Sequence, residues 1–453
     1  MPIVRSRRVV FSDGVRPATI HIRDGVIARV GEYDDVVSDA HIDEAGDAVV
    51  MPGVVDSHVH VNEPGRTGWE GFETATRAAA AGGVTTIVDM PLNSIPATTT
   101  VDALEAKRDA AKGQCFVDVG FWGGVVPGNA GDIEPLYSEG VLGFKCFLVP
   151  SGVDEFPSVT ERDLRLALPI LRRLRALLLV HAEVPEPIES TTALVTSLPR
   201  DGYSRVTRWY STYLATRPPV AELAAIELMI ALARDYGTRT HIVHLSSADS
   251  VTMLDEARAT GVPITVETCP HYLTFAAEDV PDGATTFKCA PPVRERANRE
   301  ALWRALTSGS IQLVASDHSP APPAMKHLES GDFLAAWGGI SPLQLSLPAT
   351  WTGASARGGS LTQLAEWMCA APARLAGLSR KGTIAAGRDA DLVVWDPEAE
   401  FVVDASALHH RHAQTPYDGM RLRGVVLRTY LRGRRVYERG TPFGAPAGIS
   451  LRR

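Results

Sequence analysis

The 453-residue chain has little cysteine. Its five thiols (Cys115, Cys146, Cys269, Cys289 and Cys369) are odd in number, scattered and never in a C-x-x-C pair. That excludes a disulfide framework and a cysteine zinc ribbon, and it suggests a reducing compartment. Long apolar runs are missing too. The densest, such as 176–180, fall far short of the ~20 residues a membrane span needs. The opening MPIVRSRRVVFSDG carries charge but no apolar stretch long enough for a signal peptide. Nor is there a basic excess: 45 Lys+Arg stand against 53 Asp+Glu, a net charge of −8. Without a Lys/Arg-dense face, nucleic acid is not expected as the main partner. No internal repeat or low-complexity tract stands out. A soluble, cytoplasmic protein with a large core is expected. Its length suggests about three ordinary domains, unless an α/β barrel of ~250 residues takes up most of it.

What is present divides the chain into ends and middle. The first fifty residues hold short strand-like runs (8–11, 18–23, 26–30) broken by Gly and Asp, which suggests a small antiparallel sheet. The last seventy behave alike (391–395, 423–431, 435–437), and the two ends together have enough strands for one sandwich. In the middle, apolar β-branched runs at 54–59, 85–90, 116–122, 143–148, 177–181, 241–245, 264–268 and 311–316 alternate with helical patterns at 69–81, 101–112, 161–176, 220–236, 250–259 and 298–307. Eight such strands make the count of a (β/α)8 barrel, with an open doubly wound sheet as the other arrangement. The expected fold is therefore α/β: a (β/α)8 TIM barrel over 53–379, and a small β-sandwich from 1–52 with 380–453. The stretch 183–219 shows no clear periodicity and reads as a loop excursion near the active site.

Polar residues sit at the strand ends. His58 and His60 end the first strand, Lys145 lies in the fourth, His181 ends the fifth, His244 the sixth and Asp317 the eighth. Singly, each has a structural reading: a hydrogen-bonded histidine, or a turn at Asp317-His318-Ser319. In a barrel, however, the C-terminal strand ends converge on one site. Imidazole and carboxylate suit zinc and related divalent ions. Four His and one Asp are too few to hold two ions well without a bridging anion. A buried lysine is costly unless neutralised, and its free amine can react with CO2 to give a two-oxygen carbamate bridge.

His58-Val59-His60, the Lys145 strand, His181, His244 and Asp317 together resemble the amidohydrolase superfamily. The match is to its cyclic amidohydrolase branch of dihydroorotases, dihydropyrimidinases/hydantoinases and allantoinases. The resemblance extends to Met51-Pro52-Gly53-Val54-Val55-Asp56 and to Gly382-Thr383-Ile384-Ala385-Ala386-Gly387-Arg388-Asp389-Ala390-Asp391-Leu392-Val393. It implies that His58, His60 and Asp317 hold one ion, that His181 and His244 hold a second, and that carboxylated Lys145 bridges them. Zinc is the first expectation for the two ions, with cobalt, manganese or iron as the others.

Other segments choose among branch members. Asn62 stands where dihydroorotases carry a carboxylate-binding Arg, and Pro150 where dihydropyrimidinases carry a Tyr. The stretches 89–96, 143–148, 316–320 and 336–340 resemble the allantoinases. Relatives often have Ser at Ala290 and Asn at Val184, so the chain departs from them there. The resemblance implies hydrolysis of the ring amide of allantoin to allantoate by a hydroxide held between two ions, with Asp317 as general base and then acid. It implies a homotetramer as well. Asn93, Arg66, Ser151, Ala290 and Gly338 are the expected substrate contacts: Ala290 and Gly338 through their backbones, Ser151 at the oxyanion, Asn93 and Arg66 by location. A hydantoinase or dihydropyrimidinase acting on other cyclic ureides is the alternative. A non-catalytic scaffold relative is a further one, and such relatives typically lack several of these ligands.

Overall fold

A computed structural model describes residues 2–35 and 41–453. Alternating apolar residues form β1 (Pro2–Phe11), β2 (Gly14–Arg23), β3 (Val26–Gly31) and β4 (His41–Pro52) at one end of the chain. The middle supplies β5 (Val54–Val59), β6 (Val84–Asp89), β7 (Asp118–Phe121), β8 (Gly123–Gly124), β9 (Phe144–Phe147), β10 (Leu178–His181), β11 (Thr240–Ile242), β12 (Ile264–Thr268) and β13 (Leu313–Val314). The other end adds β14 (Leu392–Val402), β15 (Arg421–Leu431) and β16 (Arg434–Glu438).

Both ends share one seven-stranded sheet, ordered β16-β15-β14-β4-β1-β2-β3. The joint is antiparallel, with Leu392 opposite Pro52 and Trp395 opposite Val49. One expectation needs correcting: β4 runs parallel to β1, so the N-terminal part is not purely antiparallel. The hairpin β2-β3 fills one edge of β1, and the chain returns to the other edge in the direction of β1. Val4, Ile20, Ile27, Val50, Leu392 and Val394 make the core of this sheet, drawn from both ends.

The middle strands are all parallel and buried on both faces, which is why they read as continuous apolar runs. They form two sheets, β5-β6-β7 and β8 to β13 in chain order. Only Trp122 parts β7 from β8. Across the opposite seam, Val59 bridges His318 in parallel, and the His60 N–H donates to the His318 carbonyl at 2.8 Å. Helices such as Phe72–Ala81, Val101–Ala111, Glu161–Leu174 and Arg296–Ser308 connect the strands. Glu161–Leu174 opens on a Thr160/Asp163 capping box and stops where Arg175 turns left-handed. The first helix starts at Phe72, three residues later than its pattern suggests, because Gly71 at φ 125° interrupts it. The 183–219 excursion is not irregular: it folds into three short helices, Pro185–Thr196, Arg200–Val206 and Tyr210–Thr216.

The two-residue period of the strands positions the site. Leu177 and Leu179 join Val88, Trp122, Val243, Leu313 and Ala315 in one interior cluster. Leu178, Val180, Ile242 and Phe144 pack in another, with the helices. Extending the interior alternation by one step from Leu179 and from Ala315 reaches His181 and Asp317. Among the described residues, no helix is long and apolar enough to cross a membrane.

Candidate active site

Beyond the strand ends lies a cavity of about 380 Å³ lined by His58, His60, His181, His244 and Asp317. His58 and His244 lie 5.4 Å apart between ring centres, and His181 and His244 4.6 Å. Asp317 Oδ1 is 3.3 Å from His58 Nε2 and 3.5 Å from His60 Nε2. One donor atom each from His58, His244 and Asp317 fall within 4.8 Å of one another. His244 and Asp317 are in the left-handed region, at φ 41° and 46°, as are Asn62 and Asn93 at 66°. Non-glycine residues there are uncommon and store strain, which concentrates at functional sites.

The electrostatics keep these groups ready as ligands. Burial lowers the His60 and His181 pKa values, and burial together with His181, Lys145 and His58 takes His244 well below the usual imidazole value. The rings are thus neutral, with lone pairs available. Burial would raise the Asp317 carboxyl, but His58 and His60 hold it ionised, below the usual range. Lys145 lies on β9 opposite Leu179 and is fully buried, and its Nζ has no hydrogen-bond partner. Burial pushes its pKa down to about 8, while the Glu267 and Asp317 carboxylates pull the other way.

Two carboxylates orient the imidazoles. His58 Nδ1 lies 2.6 Å from Glu267 Oε1, and Glu267 Oε2 lies 3.0 Å from His241 Nε2. His181 Nε2 lies 2.8 Å from Glu183 Oε2. With an N–H on each of those ring atoms, the opposite nitrogen of His58 and of His181 carries the lone pair. This donor chemistry, together with the unpartnered Lys145 amine, fits divalent metal ions. Cys269, His271 and Asp317 form a second close set. Cys269 and His271 do not line the cavity, however, and burial keeps the Cys269 thiol protonated.

Residues 49–436 match the family model described as "Amidohydrolase family".

This chain belongs to the amidohydrolase family.

An allantoinase from Streptomyces avermitilis is 50% identical over 452 residues, covering 100% of this chain and 98% of that protein. An allantoinase from Saccharomyces cerevisiae is 44% identical, with 98% of each chain covered. Among solved structures, an L-hydantoinase (dihydropyrimidinase) from Arthrobacter aurescens superposes with a TM-score of 0.93 at 33% identity, over 100% of this chain and 99% of that one. The amidohydrolase match thus falls in the cyclic amidohydrolase branch.

The expected substrate contacts are placed unevenly. Asn93, Ser151, Ala290 and Gly338 line the cavity. Asn93 Nδ2 is 3.5 Å from His60 Nδ1, and its Oδ1 is buried without a partner. The Ser151 hydroxyl donates within its own loop, to the Phe156 carbonyl at 2.6 Å, so it is not free to serve an oxyanion. Arg66 does not line the cavity. It pairs with Glu155 and donates to the Asn93 carbonyl at 3.1 Å, tying three loops together at the rim. Its length and charge suit that loop contact, the salt-bridge alternative to a substrate role.

Several residues at the site escaped sequence reasoning. Glu267 is the lone charge in β12, one residue before its end, and that signal was available. Lys288 and Lys326 gave no signal, since their partners are backbone carbonyls. Lys288 Nζ donates to Leu334 at 3.0 Å and to Ala336; Lys326 Nζ donates to Trp337 at 3.1 Å and to Gly339. Together they clamp the loop that carries Gly338. Gly339 itself, at φ 147°, faces the Ser319 carbonyl where a Cβ would collide, so no larger residue fits.

Proposed function

We propose that this chain hydrolyses the ring amide of allantoin to allantoate. The observation that carries the reading is the convergence of four imidazoles, Asp317 and an unpartnered buried lysine at one end of a parallel strand array. The allantoinases at 44–50% identity over nearly the whole chain support the substrate. We read the ring of parallel strands as a (β/α)8 barrel over 53–379, and the terminal sheet as a sandwich-type domain from 1–52 with 380–453.

In this reading His58, His60 and Asp317 would hold one divalent ion, zinc first among those expected, and His181 and His244 would hold a second. Lys145, its pKa lowered by burial so that the free amine is accessible near neutral pH, would add to CO2 with loss of a proton. As a carbamate, Lys145 would be the anionic residue shared by the two ions. Two divalent ions at this site would polarise the scissile carbonyl and bring the pKa of water towards ~7.

The chain's own side chains do the rest. Asp317, ionised and next to both His58 and His60, accepts the proton of the attacking water and delivers it to the ring nitrogen that leaves. Backbone groups of Ala290 and Gly338 orient the ring. Phe147, stacked on His181 at 4.6 Å, and Trp337 are the apolar walls that limit water. The fold likeness to a hydantoinase makes hydrolysis of other cyclic ureides the second reading. The test is turnover of allantoin, hydantoin and dihydrouracil with added zinc, cobalt or manganese. Allantoin is expected to dominate, and dominant dihydrouracil turnover would refute the assignment.

A further inference from the structure

The three-helix excursion between β10 and the helix Pro219–Tyr236 has no part in the chemistry just described, yet it builds one side of the cavity. Ile188, Thr192, Tyr213, Thr216 and Arg217 all face the space. It is pinned to the opposite wall, where the Tyr213 hydroxyl donates to the Cys289 carbonyl at 2.6 Å, one residue before Ala290.

Among the described residues, Arg217 is the one cation this wall brings to the cavity. Its Nη1 donates to Glu183 Oε2, the same oxygen that lies 2.8 Å from His181 Nε2. A single carboxylate oxygen thus stands between the guanidinium and an imidazole of the reacting centre, which puts Arg217 at the edge of that centre. Among the described residues, Glu183 is its only acidic partner. A guanidinium offers five N–H donors in a planar fork, and Glu183 takes one edge of it. The side chain keeps 19% of its surface even though it sits against a fully buried acid, and that surface borders the cavity.

Allantoin differs from hydantoin by a ureido group on the ring carbon next to the carbonyl attacked. That group is planar, with a carbonyl acceptor at its tip. It must lie close to the reacting centre, wherever the rest of the ring is held. We infer that Arg217 is a specificity-determining residue: its free edge receives the ureido carbonyl oxygen, and Glu183 fixes the fork in place. This inference rests on the allantoin reading above.

The test compares Arg217→Lys and Arg217→Gln with the wild type in the full metal-loaded protein, measuring kcat/KM for allantoin and for hydantoin. Lysine keeps a charge opposite Glu183, so it preserves the fold while losing the planar fork. The allantoin-to-hydantoin ratio is expected to fall at least about tenfold in both variants, mostly through the allantoin KM, as for loss of one hydrogen bond to a charged group. Calorimetric binding to metal-free protein should show the same selective loss for allantoin. Variants that lose both substrates in equal proportion, with no change in the ratio, would show that Arg217 serves only to pair Glu183, and would overturn the inference alone. A wild type that does not hydrolyse allantoin would overturn the functional reading and this inference with it.

Discussion

Replacing Glu267 with glutamine separates the orientation of the imidazoles from their presence. The carboxylate is fully buried, 2.6 Å from His58 Nδ1 and 3.0 Å from His241 Nε2. Burial would raise its pKa, but the two imidazoles hold it below the usual value, so it is charged where it acts. Glutamine keeps the shape and loses the charge. Its single carbonyl oxygen can accept from one imidazole only, and its NH2 then forces the other into the opposite tautomer. If His58 is the one that switches, its Nε2 carries a proton towards Asp317 instead of a lone pair. A hydrogen bond to a charged group contributes about 1.5–3 kcal/mol and a neutral one about 0.5–1.5 kcal/mol, so the His58 bond alone loses about 1–1.5 kcal/mol. At 1.4 kcal/mol per decade that is roughly tenfold, and with the second bond the loss approaches the ~100-fold upper range for partners of metal ligands. The assay is a competitive zinc titration into metal-free protein, beside circular dichroism and turnover at saturating metal. The expected result is an affinity about ten- to hundredfold weaker on an intact fold, with most turnover recovered in excess metal. An affinity within about threefold of wild type would refute the argument, because the orientation of His58 would then be set elsewhere.

Other substitutions test the remaining links. Lys145→Ala is expected to abolish turnover, with partial return on adding a short carboxylic acid; full turnover without the acid would refute the carbamate. Asp317→Asn should remove turnover on a normally folded protein, and retained turnover would exclude it as the proton carrier. Lys381→Met probes the fold instead. The Lys381 ammonium is buried and reaches Asp118 at 2.7 Å, Asp391 at 2.6 Å and Asp389 at 3.0 Å. Asp118 keeps Arg432 and Asp389 keeps Arg380, but removing Lys381 leaves the buried Asp391 carboxylate without a cation, at a cost of about 3–5 kcal/mol in chemical denaturation. The allantoin KM of the surviving folded fraction should be unchanged, and a loss under about 1 kcal/mol would refute the role.

The sequence disclosed what depends on local chemistry. Parallel strands buried on both faces are apolar throughout, so a single polar residue at their ends stands out, and His181, His244 and Asp317 were read that way. Lys145 was legible for the same reason, being a charge with no local partner. What stayed hidden depends on distant contacts. The parallel pairing of β1 with β4 is invisible because neither strand encodes its partner. The helices of the excursion are short, and Pro185–Thr196 buries none of its residues, so no apolar stripe marks it. Arg66 was placed near the site by its position in the chain, but its direction depends on Glu155, which belongs to another loop. Lys326 answers only to carbonyls, which no residue type advertises.

The pairing of β4 with β14 has a consequence for how the protein is made. Pro52 leaves the ribosome before its partner Leu392, which follows roughly 340 positions later, a delay of about 20–70 s at ~5–20 residues per second. During that interval one edge of β4 has no strand to pair with, and an open edge invites other chains. Slowing growth by lowering temperature lengthens the exposure while weakening apolar association. A circular permutant that begins at β14 and joins the old ends would cut that separation from roughly 340 to about 113 positions and shorten the gap about threefold.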